Sequence, residues 1–160
     1  MPSLPVVLLG VLLSLPVAAA PTSNREPITG RIVGVIDGDT VDLIDGSFRQ
    51  TRIRLAEIDA PEKNQPFGQR AKLALSSLCF GRKATAIPTG ATHRGRVIAH
   101  LQCDGTDASS SMVAEGYAWV YRQYSKSAGL LALEEDARRR HLGLWANAAP
   151  VPPWTWRKPN

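Results

Sequence analysis

The sequence predicts an α+β protein, a five-stranded antiparallel OB-type β-barrel with three helices. Two observations lead there. First, short β-branched runs are joined by Asp-Gly turns with no helical period between them, which makes an antiparallel meander. Second, one helix-period segment separates the third run from two more. The order β-β-β-α-β-β-α-α results, with glycines where a small barrel must bend.

Composition sets the outer bounds. The chain has 160 residues, room for one domain with extra segments at its ends. A hydrophobic content of 44% with 21% charged side chains fits a packed globular core and excludes a disordered or fibrous chain. The formal net charge of +5 favours polyanions, without choosing between nucleic acid, anionic lipid and acidic polysaccharide.

Residues 1–20 carry no charged side chain, 4–15 are almost wholly apolar, and Val17-Ala18-Ala19-Ala20 has the small side chains of a cleavage site. They predict a signal peptide over 1–20, with cleavage after Ala19 as the alternative to Ala20 and an uncleaved anchor or a misassigned start as the competing reading. The apolar run is too short to span a bilayer, so the mature form is expected to be secreted or periplasmic with no membrane segment. Residues 21–27 read as a flexible lead-in, 28–146 as the folded domain and 147–160 as a Pro/Trp-rich tail. Cys79 and Cys103 are too far apart for a zinc site. They form a disulfide if the chain is exported, or pack as two buried thiols if it is not.

In the first strand, from Ile28, Ile32, Gly34 and Ile36 share one face and Val33 and Val35 the other, while Gly30 and Gly34 suggest a bulge. Asp37-Gly38 is a turn, Val41 and Leu43 lie on the second strand, and Asp45-Gly46 is a hairpin turn. The third strand covers 49–58, with Ile53 and Leu55 facing one way and Arg52 and Arg54 the other. Strict alternation would send Glu57 inward and Ile58 outward, so a bend is expected near Ala56-Glu57. A helix over 67–79 buries Ala71, Ala74, Leu75 and Leu78 and ends at Gly81. Strands over 82–88 and 96–103 flank a polar loop over 89–95. A short helix holds Met112 and Val113 and ends at Gly116; residues 117–124 are extended and aromatic. The last helix, over 127–141, buries Leu130, Leu133 and Ala137, exposes Glu134, Glu135 and Arg138 to Arg140, and has Gly143 as its C-cap. The tail is expected to lie extended against the domain on Trp154 and Trp156; a partner or substrate contact is the alternative.

The chemistry concentrates in three pieces. Arg54-Leu55-Ala56-Glu57-Ile58-Asp59-Ala60-Pro61-Glu62 places a guanidinium and two carboxylates around a stiff corner. Ile36-Asp37-Gly38-Asp39-Thr40-Val41 adds two carboxylates at a glycine turn, and Arg94-Gly95-Arg96 adds two guanidiniums. Oxygen ligands for a hard cation beside forks for a phosphate are what phosphoryl chemistry needs. Each piece has a plainer reading as a self-capping turn or a solvent-facing charge. His93, His100 and His141 are too scattered for a metal site, and Arg138-Arg139-Arg140 reads as a solvated helix face.

Taken together and in this order, the three motifs, with Gly143-Leu144-Trp145 after the last helix, resemble the staphylococcal nuclease (thermonuclease) family over 28–146. The resemblance implies a calcium-dependent phosphodiesterase on an OB-type barrel, cutting DNA and RNA on the 5′ side of the phosphorus and leaving 3′-phosphoryl ends. It implies Ca²⁺ held by the Asp39 and Asp59 side chains and the Ala60 carbonyl, with Asp37 behind them. Arg54 and Arg96 take the places of the two catalytic arginines and Glu62 that of the glutamate. The sequence departs from the pattern at Thr92 and Arg94, where many members carry an acidic residue and an aromatic. A nucleotide-contacting tyrosine falls near Arg122, beside Tyr121 and Tyr124. His93, Arg94, Tyr121 and Arg122 are therefore the candidates for substrate contact. A monomer with no stable protein partner is the simplest expectation. The competing reading is a non-catalytic OB-type module that holds single strands; a surface-adhesion protein using its basic face is a third.

Overall fold

The computed structural model describes residues 26–158. The expected signal segment and most of the lead-in lie outside them.

Alternating apolar side chains make the sheet. Strand β1 (Ile28–Val35), β2 (Thr40–Asp45) and β3 (Gln50–Leu55) form the meander, each pair antiparallel. After helix α1 (Gly68–Cys79), β5 (Lys83–His93) pairs with β1, and β6 (Arg96–Cys103) pairs with β5 and with the short β7 (Thr106–Asp107). The barrel closes where β6 meets β3 over Ile53↔Val97, Arg54↔Ile98 and Leu55↔Ala99. That last ladder is parallel, so the barrel is antiparallel everywhere except at its seam. Ile32, Val41, Leu43, Ile53, Leu55, Ala86, Ala99 and Leu101 fill the interior and are fully buried. Each large one contributes on the order of 2 kcal/mol.

The third strand divides as its alternation demands. It stops at Leu55; Glu57 sits at φ 68°, and the two-residue β4 (Ile58–Asp59) starts a separate pairing with β8 (Trp119–Val120). The turn reverses the pleat, so that Ile58 is buried. The register of β1 slips between Ile32 and Gly34, which leaves Ile36 partly exposed and not on the Ile32 face.

Other elements correct the sequence reading. Residues 89–93 are no loop: β5 runs to His93, with a register shift between Pro88 and Thr92, and the hairpin turns on Arg94 and Gly95. Both have positive φ, 50° and 73°, the backbone of a tight hairpin turn. Of the aromatic stretch 117–124 only Trp119–Val120 is strand, because Tyr124 and Ser125 bond back to the Tyr121 carbonyl in a turn. Helix α2 (Ala108–Ala114) is capped by Asp107. Helix α3 (Ala128–Arg139) is capped by Ser127, whose Oγ accepts from the Leu130 amide at 3.2 Å.

Glu134 belongs to the buried face of α3. It is 1% exposed, accepts from the Val120 amide at 3.0 Å and pairs with Arg122 at 2.7 Å. A hydrophobic period cannot reveal a carboxylate whose partners come from another element. Nor is Gly143 the C-cap. His141 takes the left-handed position (φ 53°), its amide bonds to Arg138 O and that of Leu142 to Ala137 O, a Schellman closure. Gly143 instead opens a 3-10 turn, Gly143–Ala146.

Cys79 and Cys103 are joined in a disulfide. It fastens the end of α1 to the end of β6. The tail is not wholly extended: Pro153–Trp156 forms a short helix, α4. Trp154 packs edge-on against Trp119 and stacks on Tyr121, with centroids 5.4 Å apart and planes 4° apart. Arg138 lies over Trp119 and Trp145 in the same small cluster.

Candidate active site

The two acidic turns meet because small residues let them. A Cβ on Gly38 would lie 2.7 Å from the Cβ atoms of both Ala60 and Ala71, so the Asp37-Gly38-Asp39 turn rests directly on the second acidic corner. A Cβ on Gly68 would lie 2.0 Å from the Glu62 carbonyl oxygen, so the start of α1 presses on the loop that carries Glu62. Both glycines are there for close approach.

Arg54 ties the corners together. Its Nη2 donates to Asp39 Oδ2 at 3.2 Å and to Asp59 Oδ1 at 2.9 Å, while Nη1 reaches the Ile58 carbonyl at 3.1 Å. Asp39 also accepts from the Thr40 hydroxyl (2.9 Å) and the Ala60 amide (3.1 Å). The Asp37 carboxylate caps its own turn by accepting from the Asp39 amide at 3.0 Å. Arg96 enters from β6: its Nη1 lies 3.4 Å from the Thr40 hydroxyl and its Nε 3.3 Å from the His93 carbonyl.

Crowding of buried acids is plain in their proton affinities. Burial, and then the Asp39 carboxylate, push the Asp37 carboxyl up to about 6. Burial also pushes Asp59 up, against the pull of Arg157 and Arg54. Partial desolvation and the neighbouring Arg96 and Arg94 hold the His93 imidazole below its ordinary value.

An open cleft of about 630 Å³ lies over these groups, lined by Asp39, Arg54, Asp59, Glu62 and Arg96 among others. Residues 52–147 match the family profile described as Staphylococcal nuclease homologue. An Escherichia coli protein described as an uncharacterized endonuclease is 42% identical over 131 residues, covering 81% of this chain and 85% of its own length. The chain belongs to the staphylococcal nuclease family. A micrococcal nuclease of Shigella flexneri is 41% identical over 141 residues, 81% of this chain and 80% of its own. The staphylococcal-like nuclease CAN1 of Arabidopsis thaliana is 36% identical over 110 residues, 69% of this chain and 34% of its own.

In this staphylococcal nuclease homologue, Asp37, Asp39, Arg54, Asp59, Ala60, Glu62 and Arg96 all line one cleft. His93, Arg94, Tyr121 and Tyr124 line it too. Arg122 does not: its guanidinium is held by the buried Glu134 carboxylate, which makes it a clamp between β8 and α3. Tyr121 lines the cleft with one of its faces covered by Trp154.

Three residues beyond the sequence reading shape the site. Glu57 accepts from the Ser125 hydroxyl at 2.8 Å, and its carbonyl accepts from the Tyr121 amide, which pins the 121–125 turn beside the cleft. Gln65 accepts from the Glu62 amide at 3.0 Å and donates to the Val151 carbonyl. Arg157, from the tail, donates to Asp59 Oδ2 and to Glu62 Oε1, each at 2.6 Å. The only sequence signal for it was a basic residue right after two tail tryptophans.

A hard divalent cation fits this donor set. Asp39 and Asp59 are 6% and 1% exposed, offer oxygen only, and approach closely enough to share one guanidinium nitrogen. Among the described residues no three acidic, imidazole or thiol side chains close into a complete ligand shell. The fit therefore needs main-chain or water oxygens, which is common for calcium.

Proposed function

We propose that this chain is an exported, calcium-dependent nuclease that hydrolyses phosphodiester bonds of DNA and RNA as a monomer, leaving 3′-phosphoryl ends. The observation that carries the reading is the meeting of Asp39, Asp59 and Glu62 with Arg54 and Arg96 in one open cleft. The nuclease names of relatives that match most of its length support it. The Cys79–Cys103 bond supports the export part, since such bonds persist in oxidising compartments.

Asp39 and Asp59, with the Ala60 carbonyl, would hold the cation. Bound there, it supplies Lewis-acid charge stabilisation to a phosphoryl oxygen. Arg54 and Arg96 grip non-bridging oxygens and oppose the charge that grows as water attacks phosphorus. Glu62 orients that water or takes its proton as the new P–O bond forms and the bond to the 5′ oxygen breaks, the departing 5′ oxygen taking up a proton from solvent. The open cleft and the +5 net charge suit a long polyanion.

The test is incubation of the purified mature chain with single-stranded DNA, first with Ca²⁺ and then with a chelator. Cutting is expected with Ca²⁺, and neither after chelation nor in Asp39→Ala. Salt-sensitive binding with intact DNA under all conditions would leave a non-catalytic strand-holding module instead.

A further inference from the structure

We propose that Arg157 is a tethered occupant of the cation seat: in the metal-free protein its guanidinium holds the Asp59–Glu62 pair, and a divalent cation binds only by displacing it. The inference rests on the calcium reading above.

The contact is built. Arg157 Nη2 lies 2.6 Å from Asp59 Oδ2, and Nη1 lies 2.6 Å from Glu62 Oε1 and 3.2 Å from Asp59 Oδ1. Its two nitrogens thus span the carboxylate proposed as a cation ligand and the one proposed to handle water. Asp59 is 1% exposed, so any cation reaching it must meet the oxygens that Arg157 already engages. Two positive charges on the same oxygens repel at short range.

The tail is seated independently of that ion pair. The Gln65 side chain bridges the Glu62 amide and the Val151 carbonyl. Pro153 is buried, and Trp154 stacks on Tyr121 and meets Trp119. These anchors raise the local concentration of the guanidinium far above that of a free cation, as any short tether does. Arg157 itself sits one residue past α4, with its side chain 38% exposed, so it can swing out without unfolding the core.

If the docked state prevails, the apparent calcium affinity falls by the fraction of molecules whose seat is free. Calorimetric titration of Ca²⁺ into the full mature chain measures it. Arg157→Gln is expected to bind Ca²⁺ about tenfold or more tightly than the wild type. Trp154→Ala, which keeps every charge but loosens the anchor, is expected to shift in the same direction by a smaller factor. That second variant separates displacement from a general loss of positive charge. In the wild type, saturating Ca²⁺ should speed trypsin cleavage after Arg157 several-fold, with trypsin calibrated on an unrelated peptide at the same Ca²⁺. Equal affinity in all three proteins, or weaker binding in Arg157→Gln, overturns the proposal and leaves the calcium reading standing. Absence of Ca²⁺ binding in all three removes both.

Discussion

Arg54 shows how much one side chain can organise. Its planar fork bonds two carboxylates and two carbonyls at once. A lysine at that place carries the charge but not the geometry. Arg54→Lys is expected to fold and to lose on the order of 10²–10³ in kcat, as loss of one preorganised donor does. Steady-state rates on a defined oligonucleotide, beside a circular dichroism spectrum, check both halves. Glu134 is the opposite case, a buried acid outside the cleft. Glu134→Ala strands the Val120 amide and the two guanidiniums Arg122 and Arg138, and is expected to cost about 2–3 kcal/mol. Glu134→Gln keeps an acceptor for Val120 and should cost about half that. Urea midpoints of the two variants rank them.

Elements explain which parts of this site were legible in advance. The site residues on β3, the acidic corners and β6 follow from strict local patterns: Arg54 alternates against Ile53 and Leu55, and the bend at Glu57 follows from Ile58 being apolar on the wrong face. Helices α1 and α3 likewise follow from their apolar spacing. What could not be read was long-range. No local pattern tells that Glu134 answers Val120 and Arg122, or that Arg157 reaches Asp59 across 98 residues. The end of α3 departs from the local pattern for a different reason. Gly143 looked like the natural left-handed residue, yet His141 takes that role and Gly143 is needed where a Cβ would lie 2.2 Å from the Gly116 carbonyl oxygen. A histidine at φ 53° bears strain that glycine avoids. His141→Gly is therefore expected to stabilise the protein by about 0.5–1 kcal/mol, read as a higher urea midpoint with unchanged nuclease activity.

At the scale of the molecule, the barrel is pinned at two distant points. The Cys79–Cys103 disulfide spans 24 positions of sequence, and loop-closure arguments give it about 3 kcal/mol. Unfolding in the presence and absence of a reductant should show a loss of that order; an unchanged midpoint would mean that the core holds α1 to β6 without help. The second pin is the seam. Arg54 and Arg96 stand on strands that meet only through the three-residue ladder of β3 with β6. A substitution that opened this seam would part the two guanidiniums while leaving each strand paired along its other edge.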